Sequence, residues 1–209
     1  LTPVAYVGYI PLMLVTPPSF PPKTVTELIT LLKANPDKYS YASGGAGAGA
    51  HLSAEMFKHI TGTKLVHVPY KGNAPALADV LGGHLPIMFD TITTSLPHVR
   101  SGKLKALATT GPKRSPLAPE LPTMIEAGVP GFEISAWYMI FAPKKTPTEI
   151  LEKLNSAINK AITDPEMVKQ MAAMGVSFVG GSIGQADQFL SSEITNWGGI
   201  IKAADIKAE

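Results

Sequence analysis

Hydrophobic and polar positions change period along the chain, and the changes mark its elements. Two long apolar stretches, at about 4–15 and 132–142, read as strands. Thr24-Val-Thr-Glu27 matches a capping box, and Leu28, Ile29, Leu31 and Leu32 follow at helical spacing. Asn35-Pro36-Asp37 is a turn and Tyr39–Ala42 is strand-like. Beyond a glycine-rich stretch, Leu52, Met56 and Ile60 lie on one face of a predicted helix that Gly62 stops. Strands follow at Leu65–Val68, Leu85–Phe89 and Leu104–Thr109, with helices at Ala74–Leu81 and Leu96–Arg100. Thr123-Met-Ile-Glu126 predicts a short capped helix closed by Gly128. Thr146-Pro-Thr-Glu149 predicts a capping box opening a helix to about Ile162, and Asp164-Pro165 opens another that ends at Gly175. Val176–Val179 is a short strand, and Ser182-Ile-Gly-Gln185 caps a last helix carrying Phe189, Ile194, Trp197, Ile200 and Ile201.

Repeated β-α-β units with short links predict an α/β protein with an open, parallel sheet covered by helices. The two long strands bracket that middle, as hinge strands do in a two-lobed binding protein. Composition narrows the class. The chain has 209 residues, 45% apolar and 16% charged, with no cysteine. Its charge lies well below the roughly 25% of an average domain, which excludes a disordered chain. Zero cysteine excludes a disulfide scaffold, a cysteine-ligated metal and a cysteine nucleophile. No run reaches the ~18 apolar residues of a membrane span. The chain opens at Leu1 without a basic-then-apolar leader, so it reads as processed, cut or partial. Charge is uneven: residues 38–119 hold nine bases and three acids, +6, and the rest holds nine bases and thirteen acids, −4, giving the net +2. A basic middle suits an anionic ligand or partner; lysines that serve only solubility are the alternative. Sixteen of the eighteen bases are lysine, without the arginine forks and aromatic platforms of nucleic-acid readers.

Ser43-Gly-Gly-Ala-Gly-Ala-Gly-Ala-His51 is the most informative stretch, with four glycines between a strand and a helix. Glycines let backbone N–H groups turn towards a ligand, and the helix N-terminus adds unpaired donors and a positive dipole end. Pro69-Tyr70-Lys71-Gly72 and Asp90-Thr91-Ile92-Thr93-Thr94-Ser95 lie at the ends of the next two strands, so three loops converge on one rim. The alternative is a tight strand–helix turn and nothing more. Lys71 either steers an anion or faces solvent, and Asp90 either accepts hydrogen bonds from a ligand or orients its own loop. A P-loop lacks its Gly-Lys here, and Gly45-x-Gly47-x-x-Ala50 lacks the acid that a dinucleotide fingerprint needs about 20 residues on. Lys71 keeps NADP open, but a carboxylate, needing two or three donors, is the simpler fit. The candidate ligand-binding residues are therefore Ser43, Gly44, Gly45, Ala46, Gly47, Ala48, Tyr70, Lys71, Gly72, Asp90, Thr91 and Ser95.

Catalytic sets are weak. Five histidines (His51, His59, His67, His84, His98) lack metal spacing, there is no Gly-x-Ser-x-Gly elbow, and Asp90 has no carboxylate partner. His51 reads as a packing or capping residue, and Glu55 with His59 as an exposed pair. Trp137 and Tyr138 read as core or as ligand-facing. No catalytic residue, metal or cofactor is expected.

The segments YASGGAGAGAHLSAEMFKHITG, LVHVPYKGNAPALADVLGGHLPIMFD, SLPHVRSGKLKALATTGPKRSPLAPELPTMIEAGVPGFE and LEKLNSAINKAITDPEMVKQMAAMGV resemble the substrate-binding proteins of tripartite tricarboxylate transporters, the Bug or TctC-like family. The resemblance runs from Leu1 to Glu209. It implies a type II periplasmic-binding-protein-like α/β fold and a non-enzymatic, extracytoplasmic receptor. Such a receptor binds a small carboxylate between two lobes and hands it to membrane permease subunits. The loop matching Ser43–Ala50 would receive the carboxylate, with those matching Tyr70–Gly72 and Asp90–Ser95 on the same wall. Relatives often carry Asn and Thr where this chain has Ala46 and Ala48, which leaves fewer side-chain hydrogen bonds. Relatives also begin with further βα units before the stretch matching Leu1. The resemblance thus implies one complete lobe, residues 17–131, with a parallel sheet, and a partial, helix-rich lobe of residues 1–16 and 132–209. A chain so built would expose apolar faces open to self-association, and would bind carboxylates weakly or not at all by itself, or only as an assembly. An α/β enzyme using the glycine loop for a nucleotide cofactor, and a truncated non-binding remnant, are the alternatives.

Overall fold

The structure, a computed structural model, describes residues 1–203 and Ile206. Residues 204, 205 and 207–209, assigned above to the partial lobe, lie outside the described residues. Two compact units form. One gathers Leu1–Ile10 and Ala136–Gly199, and the other is built on Pro11–Ser135. The first long apolar stretch is the strand β1 (Thr2–Thr16), and its residues are divided between the two units.

The unit built on Pro11–Ser135 holds a five-stranded arrangement in the order β3-β2-β4-β1-β5. Its other strands are β2 (Ser40–Ser43), β3 (Val66–Pro69), β4 (Ile87–Thr91) and β5 (Lys105–Thr109). β2 pairs in parallel with β3 and β4, as β-α-β chaining requires. β1 departs from the expected parallel sheet: it runs antiparallel to both β4 and β5. A parallel crossover must carry the chain back to the end from which its strand began. Residues 17–39 instead return the chain to the sheet at the end where β1 leaves it, so β2 and β1 point in opposite senses.

Helix α1 (Val25–Ala34) starts where the capping box predicts: Glu27 N–H donates to Thr24 Oγ1 at 3.1 Å and Lys23 N–H to Glu27 Oε2 at 2.7 Å. Thr24→Ala removes the acceptor while leaving the buried Leu28 and Leu32 in place. It should lower stability by about 1 kcal/mol in urea denaturation. Helices α2 (Gly49–Thr61), α3 (Asn73–Leu81) and α4 (Ile92–Arg100) follow β2, β3 and β4 respectively. Fully buried Tyr41, Phe57, Phe89, Phe132, Ile87, Met88, Leu28 and Leu32 fill the core of this unit. α2 does not bury the face predicted from Leu52, Met56 and Ile60, which stays half-buried; it buries Ala50, Ala54 and Phe57 together with the polar His51, Ser53 and Glu55.

Two local expectations fail, each for its own reason. Asp90–Ser95 is not a loop: β4 runs to Thr91 and α4 begins at Ile92, with Pro97 inside the helix masking its first turn in the sequence. Thr123 and Glu126 form both capping-box bonds, at 3.1 and 2.9 Å, yet Thr123–Gly128 remains a turn. Gly128 at φ 94° and Pro130 end the segment before a helix can propagate.

The unit of Leu1–Ile10 and Ala136–Gly199 contains β6 (Ser135–Ala142, from its second residue), α5 (Thr148–Ile162), α6 (Pro165–Ala173), β7 (Ser177–Phe178) and most of α7 (Ile183–Ala203). The α5 capping box does not form, because Pro147 takes the N-cap position and offers no side-chain acceptor. Asp164 does cap α6, accepting from the N–H groups of Glu166 and Met167. Val4, Ala142 and Leu151 make the core here. Asn155 ties it to the backbone, donating to Val4 O at 2.8 Å and Gly181 O at 3.0 Å. Trp137 is half-buried against Phe189 and donates to Glu193 at 2.8 Å, while Tyr138 is half-exposed.

Candidate functional site

β2 delivers Ser43 to the sheet edge of a glycine-lined rim, and the chain then turns through Gly44–Ala48 into α2. Gly44 packs so closely on the next loop that a Cβ would lie 2.2 Å from Asn73 Oδ1 and 3.0 Å from Asn73 N. That closeness lets Tyr70 N–H donate to Ser43 O at 2.9 Å and Gly72 N–H to Gly44 O at 3.0 Å. The loops carrying Ser43–Ala48 and Tyr70–Gly72 are thus stitched together by backbone.

Three helices begin at this rim: α2 after Ala48, α3 after Gly72 and α4 after Thr91. None has a side-chain cap. Elsewhere among the described residues Thr24, Asp164 and Ser182 cap α1, α6 and α7, while Pro147 leaves the start of α5 without a side-chain bond. Uncapped first-turn N–H groups with the positive ends of three dipoles form a donor-rich, electropositive edge suited to an anion.

The predicted residues differ in what they offer. Gly47 and Gly49 are exposed, whereas Gly44, Gly45, Ala46 and Ala48 are half-buried. Lys71 and Gly72 are exposed at the rim. Tyr70 donates its hydroxyl to Asp79, a bond that raises its phenol above the ordinary range. Ser43 and Ser95 are fully buried and their hydroxyls are engaged within the protein. Asp90 is 1% exposed: Oδ2 accepts from Thr94 and, at 2.6 Å, from Ser95, while buried Oδ1 has no partner. Thr91 Oγ1 lies 2.8 Å from Thr94 Oγ1.

Beneath the glycine loop lies a polar stack: His51 packs and caps there as its place in the first turn predicts, while its partners Tyr41 and His67 were not foreseen. Tyr41, His67 and His51 stack in series, with ring centroids 4.9 and 4.0 Å apart. His51 Nδ1 accepts the Gly47 N–H at 3.0 Å, and His67 Nε2 lies 2.5 Å from Ser43 Oγ, which accepts the Gly45 N–H at 3.2 Å. Glu55 is buried rather than half of an exposed pair with His59. It accepts from Tyr41 at 2.6 Å and from Lys58 at 2.7 and 2.9 Å. Burial, aided by the Glu55 hydrogen bond, pushes the Tyr41 phenol far up. Burial lowers His51 below the usual imidazole range, against the pull of Glu55. Burial, then the neighbouring His51, lowers His67 to about 4. The traces in the sequence were the i, i+4 pair His51–Glu55 and the alternation Tyr41–Ser43, which puts both on one face of β2.

Among the described residues, no group of three His, Cys, Asp or Glu side chains is placed to hold a metal ion. Among the same residues, no helix is long and apolar enough to cross a membrane. The sequence matches the tripartite tricarboxylate transporter family receptor over residues 1–206. The chain belongs to this family. It is 38% identical to the protein BugT of Bordetella pertussis over 207 residues, 99% of this chain and 64% of BugT. A solved Rhodopseudomonas palustris protein, Rpa4515 with adipate, superposes with a TM-score of 0.89 at 35% identity, over 98% of this chain and 69% of that one. MatC of the same organism, with bound malate, gives 0.84 at 30% identity, over 96% and 69%. The fold is that of a type II periplasmic binding protein, and this TctC family is one of receptors, not enzymes. The chain spans less than two thirds of the length of BugT.

Proposed function

We propose that this TctC-family chain belongs to an extracytoplasmic receptor that captures a small organic carboxylate for a tripartite tricarboxylate-type transporter and passes it to membrane permease subunits. The observation that carries the reading is the convergence of three uncapped helix starts on the glycine loop. Backbone N–H groups there meet carboxylate oxygens, and Lys71 draws the anion in. The adipate and malate named with the two solved relatives support a carboxylate as the ligand. In this reading residues 17–131 form the complete lobe that carries the rim, and 1–16 with 132–209 form part of the other. Exposed Tyr138, Ile140, Leu154 and Ile194 support self-association of the chain.

Magnitudes set an expectation for affinity. A helix N-terminus contributes roughly 0.3–2 kcal/mol to a bound anion. Three give about 1–6 kcal/mol, whereas micromolar binding needs about 8 kcal/mol. The 209-residue chain should therefore bind citrate, malate, aspartate or terephthalate only in the millimolar range. NMR titration of the 15N-labelled chain reads this directly, with shifts expected at Gly47, Gly49, Gly72 and Ile92. Micromolar binding would show that the rim is not the main source of affinity. A thermal shift with NADP or ATP, and none with di- or tricarboxylates, would overturn the receptor reading in favour of a nucleotide-binding enzyme.

A further inference from the structure

We propose that His51 is a positioning residue: its neutral Nδ1 holds the glycine loop in its anion-receiving shape, so that protonation of the imidazole stack releases the loop and weakens carboxylate binding. The proposal rests on the carboxylate reading for its ligand, but its geometry stands apart from it. His51 is the third residue of α2, the position where a capping-box Glu or Gln reaches back to a backbone N–H. Here an imidazole does so, accepting the N–H of Gly47 at 3.0 Å. Gly47 sits at φ 73°, a conformation that one hydrogen bond on its own N–H helps to fix. An imidazole accepts at Nδ1 only while neutral, since both ring nitrogens of the cation are donors. The clamp therefore sets His51 as the Nε2–H tautomer and fails when it gains a proton.

The neighbours couple the clamp to the rest of the loop. His67 stacks on His51 at 4.0 Å with the rings 11° apart, so two cations there would repel. His67 also touches Ser43, which holds the Gly45 N–H, so the two imidazoles secure both sides of Ala46. The other titratable groups facing the pair are Tyr41 from β2 and Glu55 and Lys58 from α2. Glu55 lies 3.9 Å from His51 Nε2 and favours the cation, but its carboxylate is already engaged by Tyr41 and Lys58. Desolvation dominates at both rings and keeps them neutral at pH 7. The sign follows. His67 binds its proton near 4 when folded and near 6.5 when unfolded, so the unfolded chain holds more protons between those values. Stability is complete above about 6.5 and falls as pH drops through this window.

The test compares the wild-type chain with His51→Asn and His51→Phe, using adipate between pH 7.5 and 4.0. Asn places Oδ1 the same number of bonds from Cα as Nδ1 of His, and it accepts an N–H without titrating. Wild-type affinity should fall at least twofold more than that of His51→Asn over this range; the ligand's own ionisation is common to both and cancels. His51→Phe keeps a ring in the stack but no acceptor, and should bind at least fivefold more weakly than His51→Asn at pH 7.5. Without ligand, 15N NMR should find Nδ1 of wild-type His51 unprotonated at pH 7.5 and the Gly47 amide losing exchange protection on acidification. Parallel pH profiles for wild type and His51→Asn, or a Gly47 amide indifferent to pH, would overturn the proposal. If no variant binds adipate at any pH, the carboxylate reading fails, and the Gly47 amide still decides whether His51 clamps the loop.

Discussion

Gly44→Ala should abolish measurable carboxylate binding and lower stability by about 1–3 kcal/mol, the cost of forcing a methyl into a packed contact. The added Cβ would stand 2.2 Å from Asn73 Oδ1. That atom ends a side chain and can swing away, but Asn73 N at 3.0 Å and Gly72 C at 3.1 Å are backbone and cannot. Relief requires the Tyr70–Gly72 loop to retreat, which breaks the Gly72 N–H bond to Gly44 O and moves the start of α3 away from that of α2. Since the rim gains its field from helix starts held together, the binding loss should exceed what stability alone implies. Gly49 supplies the contrast. It lies in the same loop-to-helix junction, but nothing stands within 4 Å of its Cβ position and its φ is not left-handed. Gly49→Ala should leave stability equal or higher by about 0.5–1 kcal/mol. Urea denaturation of both variants separates the two cases. Equal stability of Gly44→Ala and wild type would show that the loops are not packed as described.

Local chemistry explains which features could be read from the chain. The glycine loop, the Thr24 capping box and the Asp164-Pro165 helix start are written in consecutive residues, and each forms where expected. What fails depends on partners remote in sequence. The direction of β1 follows from how residues 17–39 return to the sheet, and no period in β1 itself encodes that. Glu55 looks like a solvated helix residue until Tyr41, fourteen residues earlier, turns out to point its hydroxyl at it. Helical periodicity counts only apolar positions, so it selected Leu52, Met56 and Ile60 over the face where His51 and Glu55 are buried. The rim residues Ser43 and Ser95 illustrate the same limit: a small hydroxyl in a candidate loop signals an available donor, yet both hydroxyls serve His67 or Asp90 inside the protein.

Glu55→Ala should cost about 2–4 kcal/mol, and the reason lies more with Tyr41 than with the ion pair. Lys58 is a quarter exposed and can return to water, so its pair with Glu55 contributes about 0.5 kcal/mol. Tyr41 is fully buried, and its hydroxyl loses the Glu55 oxygen that accepts from it at 2.6 Å. An orphaned buried donor costs about 1–3 kcal/mol, and the space left by the side chain adds to it. Removing the hydroxyl as well should recover part of the loss: Tyr41→Phe with Glu55→Ala should be less destabilised than the sum of the single variants by at least 1 kcal/mol in urea denaturation at pH 7.5. Additive effects would mean that the two groups do not interact as the geometry describes. The variant also bears on the loop. Glu55 favours a charged His51 at 3.9 Å, so its removal leaves the imidazole still harder to protonate. The acid release of Gly47 should then shift to lower pH in Glu55→Ala than in wild type, in the direction opposite to that of a general loss of stability.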